Sequence, residues 1–395
     1  MIRVLMVSDV YFPRINGVST SIETFRRALA GHGVDVRLVV PRYGNEADEP
    51  GILRVAGRRL PNDPEDRLVS WRGMHRAVDE AAAGCDLIHV QTPFVAHYAG
   101  LAAARRRGLP VLVSYHTLFE EYLHHYVPLL PAGWLRALAR RFSRRQCNAV
   151  DAVVVPSSAM AARLAGYGVA TPLEIVPTGI PLARFGGGDG AAFRARHGIA
   201  ADQPLALFVG RVAHEKNIGF LLDALVDARR HRPDILLLIT GEGPAMDALR
   251  RHAARLGLPD AVRFLGYLDR QRELPDCYAA ATLFTFASRT ETQGLVLIEA
   301  LAAGLPVVAL SAMGTADILA DAPGCIAAPD DPAAFGDIVG RLLADPAACA
   351  ALALRARSGA ERWSDSALAA RLADFYRQTV ATAPAGTPCA ATGHS

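Results

Sequence analysis

Short apolar runs alternate with amphipathic stretches along the first half of the chain. Apolar runs of this length, bounded by turn residues, predict buried strands at Val4–Val7, Val34–Val40, Leu87–Val90, Val111–Ser114 and Ala152–Val155. Amphipathic patterns between these runs predict helices, among them Ser21–Ala30, Ala99–Arg107 and Trp134–Cys147. Strands that alternate with helices are typical of a parallel sheet with both faces covered.

The same alternation restarts after the glycine-rich segment 186–190. Further buried strands are predicted at Leu205–Val209, Ile235–Thr240, Val262–Phe264, Leu283–Phe286 and Val307–Ala309. Helices are predicted at Ile218–Arg230, Ala245–Leu256, Leu295–Ala303, Ala333–Leu343 and Ser366–Thr379. We therefore predict an α/β fold with two doubly wound domains, at residues 1–180 and 181–360. We expect a C-terminal helix within 361–382 to pack back towards the first domain, and a disordered tail at 383–395.

Composition narrows the class of protein. Of the 395 residues, 51% are hydrophobic and 21% are charged, which excludes a disordered chain. The six cysteines are scattered without a C-x-x-C pair, so we expect free thiols in a reducing cytoplasm. The apolar start before Asp9 is too short for the core of a signal peptide, and no run is long enough to span a bilayer.

One basic residue differs from all the others. Lys216 is the only lysine among 42 basic residues, and all the rest are arginine. Together with Arg211 it leaves the predicted strand Leu205–Val209 and precedes a helix. Two cations at the carboxyl end of a strand suit a diphosphate, although a solvated surface pair is the alternative.

Two acidic residues, eight positions apart, follow the predicted strand Leu283–Phe286. Glu291 precedes Gly294, which opens the next helix with free amides. Glu299 lies inside that helix among apolar residues, where a carboxylate costs several kcal/mol unless it has partners. Vicinal ribose hydroxyls would serve as donors, and a salt bridge to an arginine is the alternative.

The loop after the first strand contains Asn16-Gly17-Val18, just before a predicted capping box at Thr20–Glu23. A glycine at this point lets backbone amides approach an anion at the positive end of a helix. An ordinary turn glycine is the alternative.

These motifs, in this order and spacing, make the chain resemble the retaining glycosyltransferases of family 4, over residues 1 to about 380. The resemblance is carried by the loop 16–18, Gly210-Arg211 with Glu215-Lys216, Gly241-Glu242-Gly243-Pro244, and Glu291-x7-Glu299 followed by Ala-Leu-Ala-Ala-Gly-Leu-Pro-Val-Val. It implies the GT-B architecture, in which two Rossmann-like domains face each other and the carboxyl ends of both sheets border one cleft.

The resemblance also implies roles for single residues. Arg211 and Lys216 would hold the donor diphosphate, with the backbone of Gly17 completing its binding. Glu291 would contact hydroxyls of the transferred sugar, and His116 would lie at the sugar and the acceptor. The remaining donor contacts would come from Glu242, Gly294, Leu295, Val296 and, at the ribose, Glu299. The family's common x-Phe-Gly after the first glutamate is replaced here by Thr-Gln-Gly, a form that resembles a branch containing glycolipid synthases.

A second similarity concerns the acceptor. The segments 116–126 and 12–22 are similar to diacylglycerol glucosyltransferases, which implies transfer of glucose from UDP-glucose to diacylglycerol or another membrane lipid. The helix that follows carries an apolar stripe of Trp134, Leu135, Leu138 and Phe142. The stripe is flanked by five arginines, Arg136, Arg140, Arg141, Arg144 and Arg145. A basic amphipathic helix can lie on an anionic bilayer, so we expect peripheral attachment to the inner face of the cytoplasmic membrane. The alternative is a helix packed on its own domain with a solvated basic face.

No D-x-D motif is apparent, so we assign no metal and expect no required cofactor, with Mg²⁺ at most stimulating turnover. Several alternatives stay open: a soluble or polysaccharide acceptor with mannosyl or galactosyl transfer, a nucleotide-sugar epimerase, and a non-catalytic lipid- or sugar-binding protein. An oxidoreductase would need G-x-G-x-x-G after a strand, which neither half supplies. The net charge of +3 and the lack of a known module argue against nucleic-acid binding.

Overall fold

The computed structural model describes residues 1–59, 67–116 and 132–383. The chain forms two compact units, one made of Met1–Gly179 with Asp365–Ser395 and the other of Ile180–Ser364. Each unit is an open sheet covered by helices, so the expected α/β fold of two Rossmann-like domains is confirmed.

The first unit is built on an eight-stranded sheet in the order β4-β3-β2-β1-β5-β6-β7-β8. Its strands are β1 Ile2–Val7, β2 Val34–Arg42, β3 Ile52–Arg59, β4 Arg67–Val69, β5 Leu87–Val90, β6 Val111–Ser114, β7 Ala152–Val155 and β8 Leu173–Ile175. All neighbours are parallel except β3 and β4. The strand order reverses between β1 and β5, and ligands bind at such a reversal in open α/β sheets.

Helices cover this sheet at Gly17–Ala30, Trp71–Ala81, Val95–Arg107, Ala132–Cys147, Ser158–Gly166 and Asp365–Thr382. The C-terminal helix is tied to this unit by a buried contact and by an exposed hydrogen bond. The hydroxyl of the fully buried Tyr376 lies 2.6 Å from Nδ1 of His89 on β5, and Arg377 donates to the carbonyl oxygen of His32 at 2.5 Å.

The second unit contains a six-stranded, wholly parallel sheet in the order β11-β10-β9-β12-β13-β14. Its strands are β9 Leu205–Val209, β10 Leu236–Thr240, β11 Val262–Gly266, β12 Leu283–Phe286, β13 Val307–Leu310 and β14 Cys325–Ala328. The main helices lie at Gly190–Arg196, Ile218–His231, Met246–Arg255, Glu273–Ala280, Leu295–Ala302, Gly314–Asp321, Pro332–Ala344 and Pro346–Ala360. Every residue of β9, β10, β12 and β13 is buried, because helices cover both faces of the sheet. The strand order reverses between β9 and β12.

Three local predictions need correction. The first helix begins at Gly17 rather than Ser21, because the Asn16 side chain accepts the Ser19 N–H at 2.8 Å and caps it. The predicted capping box at Thr20 is therefore wrong, and the Glu23 carboxylate instead accepts hydrogen bonds from Tyr11, Arg26 and Arg27. β2 does not stop at Val40: beyond Val39 it no longer pairs with β1, and it continues through Pro41 beside β3.

Part of the sequence predictions lies outside the described residues. This applies to most of the acceptor-side segment 116–126, of which only His116 is described, and to 384–395 within the predicted tail.

Candidate active site

The loops that follow β9 and β12 meet at the strand-order reversal of the second unit. A 3-10 turn at His214–Lys216 ends on Asn217, whose backbone adopts a left-handed conformation with φ 55°. The Asn217 side chain donates to the carbonyl oxygen of Ala287 at 3.1 Å and ties the two loops together. This places Nζ of Lys216 2.5 Å from Oε2 of Glu291, and each of these side chains is 21% exposed. The lone lysine is therefore held by a carboxylate at the edge where ligands bind in this fold.

Arg211 takes a different position from Lys216. Its side chain is 61% exposed, and Nη2 donates to Oε1 of Glu215 at 2.7 Å. Burial alone would raise the pKa of Glu215, but the hydrogen bonds from Arg211 and from its own backbone N–H outweigh burial and lower that pKa. Glu215 is therefore ionised at neutral pH and holds the guanidinium. The two predicted cations are on one loop, but each has its own acidic partner.

The glycines after β10 allow that loop to pack against the loop after β9. A Cβ on Gly241, where φ is +119°, would lie 2.0 Å from the carbonyl oxygen of Gly210. The Val212 N–H donates to the Glu242 carbonyl oxygen at 2.9 Å across the same contact. The Glu242 side chain is exposed. The glycines of this motif thus have a packing role, and the side chain of Glu242 is left available to solvent.

Gly294 begins the helix Leu295–Ala302 in a left-handed conformation with φ +94°, and no described side chain caps this helix. The first-turn N–H groups of Leu295 and Val296 are thus available at the positive end of the helix dipole. Gly314 donates its N–H to the Glu291 carbonyl oxygen at 2.8 Å and fixes the backbone just before this turn. The arrangement can receive an anion between Lys216 and the helix N-terminus.

Glu299 is almost fully buried in this helix, with 1% of the residue exposed. Nη2 of Arg270 donates to Oε1 at 2.5 Å, and the Tyr278 hydroxyl donates to Oε2 at 2.8 Å. The charge of Glu299 raises the pKa of Arg270, while burial and then Glu299 raise that of Tyr278. The arginine partner that was the alternative is therefore present. A carboxylate offers about four lone-pair positions, so these two donors leave capacity for a ribose hydroxyl.

In the first unit, predicted site residues follow β1 and β6. Gly17 is the first residue of its helix, and a Cβ there would meet no heavy atom within 4 Å. Nε2 of His116 lies 3.1 Å from Oε1 of Gln91, a residue that directly follows β5. Burial lowers the pKa of His116 to about 4, so its imidazole is neutral at pH 7. The structure gathers these groups at the carboxyl ends of β1, β5 and β6.

Asp9 is a residue at this edge that the sequence analysis did not single out. Its carboxylate accepts a hydrogen bond from Thr92 at 2.8 Å and from the Ala96 N–H at 3.1 Å. It thereby caps the helix Val95–Arg107, whose N-cap residue Phe94 makes no side-chain cap hydrogen bond. Burial raises the pKa of Asp9 to about 6. The partners are more than 80 residues away in sequence, so no local pattern indicates this role.

The basic helix Ala132–Cys147 presents its charges to solvent. Trp134 is 78% exposed and Leu138 58%, whereas Leu135 is buried, so the predicted apolar stripe is divided between two faces. Phe142 is half-buried and Arg145 is exposed. A groove of about 590 Å³ is lined by Tyr167 and by Arg136, Arg140, Arg141 and Arg144. The guanidinium of Arg140 lies over the Tyr167 ring, 5.5 Å from its centroid.

No group of three or more histidine, cysteine, aspartate or glutamate side chains within 1–59, 67–116 and 132–383 could hold a metal ion. Among the helices that the structure describes, none has the length and apolar character needed to cross a bilayer. The cysteines at 85, 147, 277, 325 and 349 are free thiols.

Comparison with known proteins identifies the family. The family model of Glycosyltransferase Family 4 matches residues 15–184, and that of Glycosyl transferases group 1 matches residues 189–359. The chain is 32% identical to an alpha-monoglucosyldiacylglycerol synthase of Streptococcus pneumoniae over 78% of this chain and 70% of the relative. It belongs to glycosyltransferase family 4. The enzyme is thus a hexosyltransferase, as the resemblance implied.

Other relatives of this family-4 enzyme have different names. A GDP-mannose-dependent alpha-(1-6)-phosphatidylinositol monomannoside mannosyltransferase of Mycolicibacterium smegmatis is 34% identical, over 94% of this chain and 97% of the relative. Among solved structures, sucrose-phosphate synthase from Thermosynechococcus elongatus superimposes with a TM-score of 0.75 at 23% identity, over 96% of this chain and 100% of that one. Anabaena HepE in complex with UDP gives 0.74 at 18% identity, over 95% and 100%. These structures confirm the GT-B fold.

Proposed function

We propose that this enzyme transfers glucose from UDP-glucose to a hydroxyl of diacylglycerol or a similar membrane lipid, with retention of the anomeric configuration. Two alpha-monoglucosyldiacylglycerol synthases, 32% and 28% identical to this chain, support the sugar and the acceptor class. In this proposal residues 181–360 supply most contacts to the nucleotide sugar. Residues 1–180 bind the acceptor and add the donor contacts of Gly17 and His116.

The observation that carries this proposal is the half-buried Lys216–Glu291 pair beside the uncapped helix at Gly294. Glycosyl transfer breaks the bond between the anomeric carbon and the phosphate oxygen, and negative charge grows on the leaving diphosphate. Fixed positive charge from Lys216, from Arg211 and from the N–H groups of Leu295 and Val296 stabilises that charge. The Gly17 backbone completes the diphosphate contacts, Glu299 binds the ribose of the nucleotide, and Glu242 adds a further donor contact.

In the proposed reaction the acceptor oxygen bonds to the anomeric carbon on the face that the diphosphate leaves. The proton of the acceptor hydroxyl passes to the departing phosphate oxygen, so no covalent sugar–enzyme adduct forms. Glu291 orients the sugar by binding the sugar hydroxyls, and Lys216 connects Glu291 to the phosphate. His116, which is neutral at pH 7, contacts the sugar and the acceptor hydroxyl.

We further propose that the helix Ala132–Cys147 holds the enzyme on an anionic membrane surface as a peripheral protein at the cytoplasmic face. Its arginines at 136, 140, 141, 144 and 145 are all exposed, and the helix carries no acidic residue. Each basic residue near an anionic surface contributes about 1 kcal/mol of attraction. The exposed Trp134 is of the type enriched at the boundary between water and lipid.

The test is a nucleoside diphosphate release assay with a panel of nucleotide sugars, with and without vesicles that contain diacylglycerol and an anionic lipid. We expect UDP release from UDP-glucose that depends on the vesicles, and that persists in EDTA because the cations replace a metal. Equal activity with water-soluble acceptors alone would refute the lipid acceptor. A covalent sugar adduct on Glu291 would refute the proposed mechanism.

A second candidate is hexosyl transfer from a GDP-sugar to an inositol-containing acceptor. The 34% identity to a GDP-mannose-dependent mannosyltransferase, over 97% of that relative, favours it. GDP-mannose with phosphatidylinositol vesicles is the arm of the panel that decides between the two donors.

A further inference from the structure

Gln91 is a buried glutamine at the carboxyl end of β5 with one half of its side chain unsatisfied. Only 4% of the residue is exposed. Its Oε1 lies 3.1 Å from Nε2 of His116, but its Nε2 is buried and has no hydrogen-bond partner among the described residues. Its backbone N–H donates to the Val7 carbonyl oxygen at 2.8 Å, which fixes the residue beside the end of β1.

A buried polar group without a partner is costly and rare in folded proteins. Leaving a buried donor unsatisfied costs as much as the desolvation of that group, and the amide of glutamine brings two N–H donors. Gln146 is a contrasting case in the same unit: it is buried as well, but its Nε2 donates to the Pro93 carbonyl oxygen at 2.5 Å. The unsatisfied amide of Gln91 lies at the edge that carries His116, so its free donor is next to a predicted site residue.

The contact between these two side chains also determines which ring nitrogen of His116 carries the proton. The amide oxygen of Gln91 can only accept, so Nε2 of His116 must donate. The imidazole is neutral at pH 7, so Nδ1 then carries a lone pair and can only accept. One donor, the Gln91 amide, and one acceptor, His116 Nδ1, thus lie in neighbouring side chains.

We propose that Gln91 binds the acceptor hydroxyl. Its amide N–H donates to the hydroxyl oxygen, and its Oε1 fixes His116 in the tautomer whose Nδ1 accepts the hydrogen bond of that hydroxyl when the acceptor binds. During transfer the same proton leaves this hydrogen bond and passes to the departing phosphate oxygen. A hydroxyl group both donates and accepts, so this pair matches it and orients its oxygen lone pair. This inference rests on the proposed transfer of a sugar to a hydroxyl, but it holds for a lipid, an inositol or a glycan acceptor alike.

The test compares three variants with the wild type, using the acceptor that supports turnover in the panel. Gln91→Leu removes both functions of the amide, while Gln91→Glu keeps an oxygen for His116 and loses the N–H donors. We expect both variants to lower kcat/KM for the acceptor by about tenfold or more. We expect the KM for the donor and the rate of donor hydrolysis without acceptor to stay within about twofold of the wild-type values. Gln146→Leu is the matched control, since the same substitution there removes a satisfied amide, and we expect its acceptor kcat/KM to stay within about threefold.

A second measurement is independent of any substrate. In the folded wild-type protein labelled with ¹⁵N-histidine, we expect His116 to show a protonated Nε2 and an unprotonated Nδ1, and Gln91→Leu to mix the two tautomers. Three results would overturn the proposal. They are a joint fall of donor and acceptor kcat/KM, unchanged acceptor kinetics in Gln91→Glu, and a protonated Nδ1 of His116 in the wild type. A wild type that uses a soluble acceptor would refute the lipid acceptor and still test Gln91.

Discussion

Replacing Lys216 by alanine removes the one cation that the structure holds, half-buried, against Glu291. The Nζ–Oε2 distance is 2.5 Å, and 21% of each side chain is exposed, so the charge lies where water screens it only partly. In the proposed site, a phosphate bound beside the helix that starts at Leu295 would lose the fixed positive charge of this side chain in Lys216→Ala.

The size of the effect follows from the role of the charge. Loss of one preorganised contact to charge that develops in the transition state costs about 3–4 kcal/mol, which is on the order of a hundred- to a thousandfold in kcat. Loss of the ion pair also affects folding, but a partly exposed pair contributes only about 1 kcal/mol. We therefore expect a large loss of rate in a protein that is still folded.

The assay is initial-rate UDP release at saturating UDP-glucose with diacylglycerol vesicles, alongside thermal unfolding of each variant. Arg232→Ala is the matched control. It removes a cation that is also paired, with Nε 2.7 Å from Oδ1 of Asp234, but Arg232 follows the far end of the helix Ile218–His231. We expect Arg232→Ala to keep wild-type kcat. A Lys216→Ala variant with kcat within about threefold of wild type would remove Lys216 from the mechanism.

Three further predictions concern Gly17, Gly241 and Asp9. Gly17→Ala leaves the unfolding free energy unchanged or raises it by up to about 1 kcal/mol, because a Cβ there meets no heavy atom within 4 Å. The same substitution lowers kcat/KM about tenfold or more if the donor diphosphate contacts this backbone. Denaturant unfolding and initial rates check both parts, and unchanged kinetics would exclude the contact. Gly241→Ala lowers the melting temperature and the free energy of unfolding, the latter by about 2 kcal/mol or more, because its Cβ would lie 2.0 Å from the Gly210 carbonyl oxygen. Gly187→Ala is the control: a Cβ there meets open space, so the melting temperature stays unchanged. Asp9→Asn tests the raised pKa of Asp9, which is about 6. Between about pH 4 and 6 the folded protein binds more protons than the unfolded chain. The wild type therefore loses stability relative to Asp9→Asn as the pH rises through this window, by about 3 kcal/mol over the whole window. Denaturant unfolding of both proteins from pH 4 to 7 measures the difference, and a difference independent of pH would contradict the burial of this carboxylate.

The strands that are buried on both faces were predictable from the sequence, because a continuous apolar run is the pattern that such burial requires. β5, β6, β7, β9 and β12 have the predicted bounds. The exposed or partly polar strands β3, β4, β8 and β14 were missed. Their register depends on pairing with a neighbouring strand, so their own sequence carries too little signal.

The candidate site was predictable where the residue type itself carries the chemistry. The lone lysine and the buried glutamate drew attention to Lys216 and Glu299. The structure places Lys216 at the strand-order reversal and Glu299 inside the helix that follows β12. Their partners were not predictable, because Lys216 meets Glu291 across 75 residues and Glu299 meets Arg270 across 29. Contacts of this kind depend on the order of strands in the sheet rather than on spacing along the chain.

The central claim is that Lys216 and the helix N-terminus at Gly294 bind the leaving diphosphate. A crystal structure of the enzyme with a nucleoside diphosphate tests it most directly. The account predicts phosphate oxygens at about 3 Å from Lys216 Nζ and from the N–H groups of Leu295 or Val296. A diphosphate bound elsewhere, with Lys216 still paired to Glu291 alone, would contradict it.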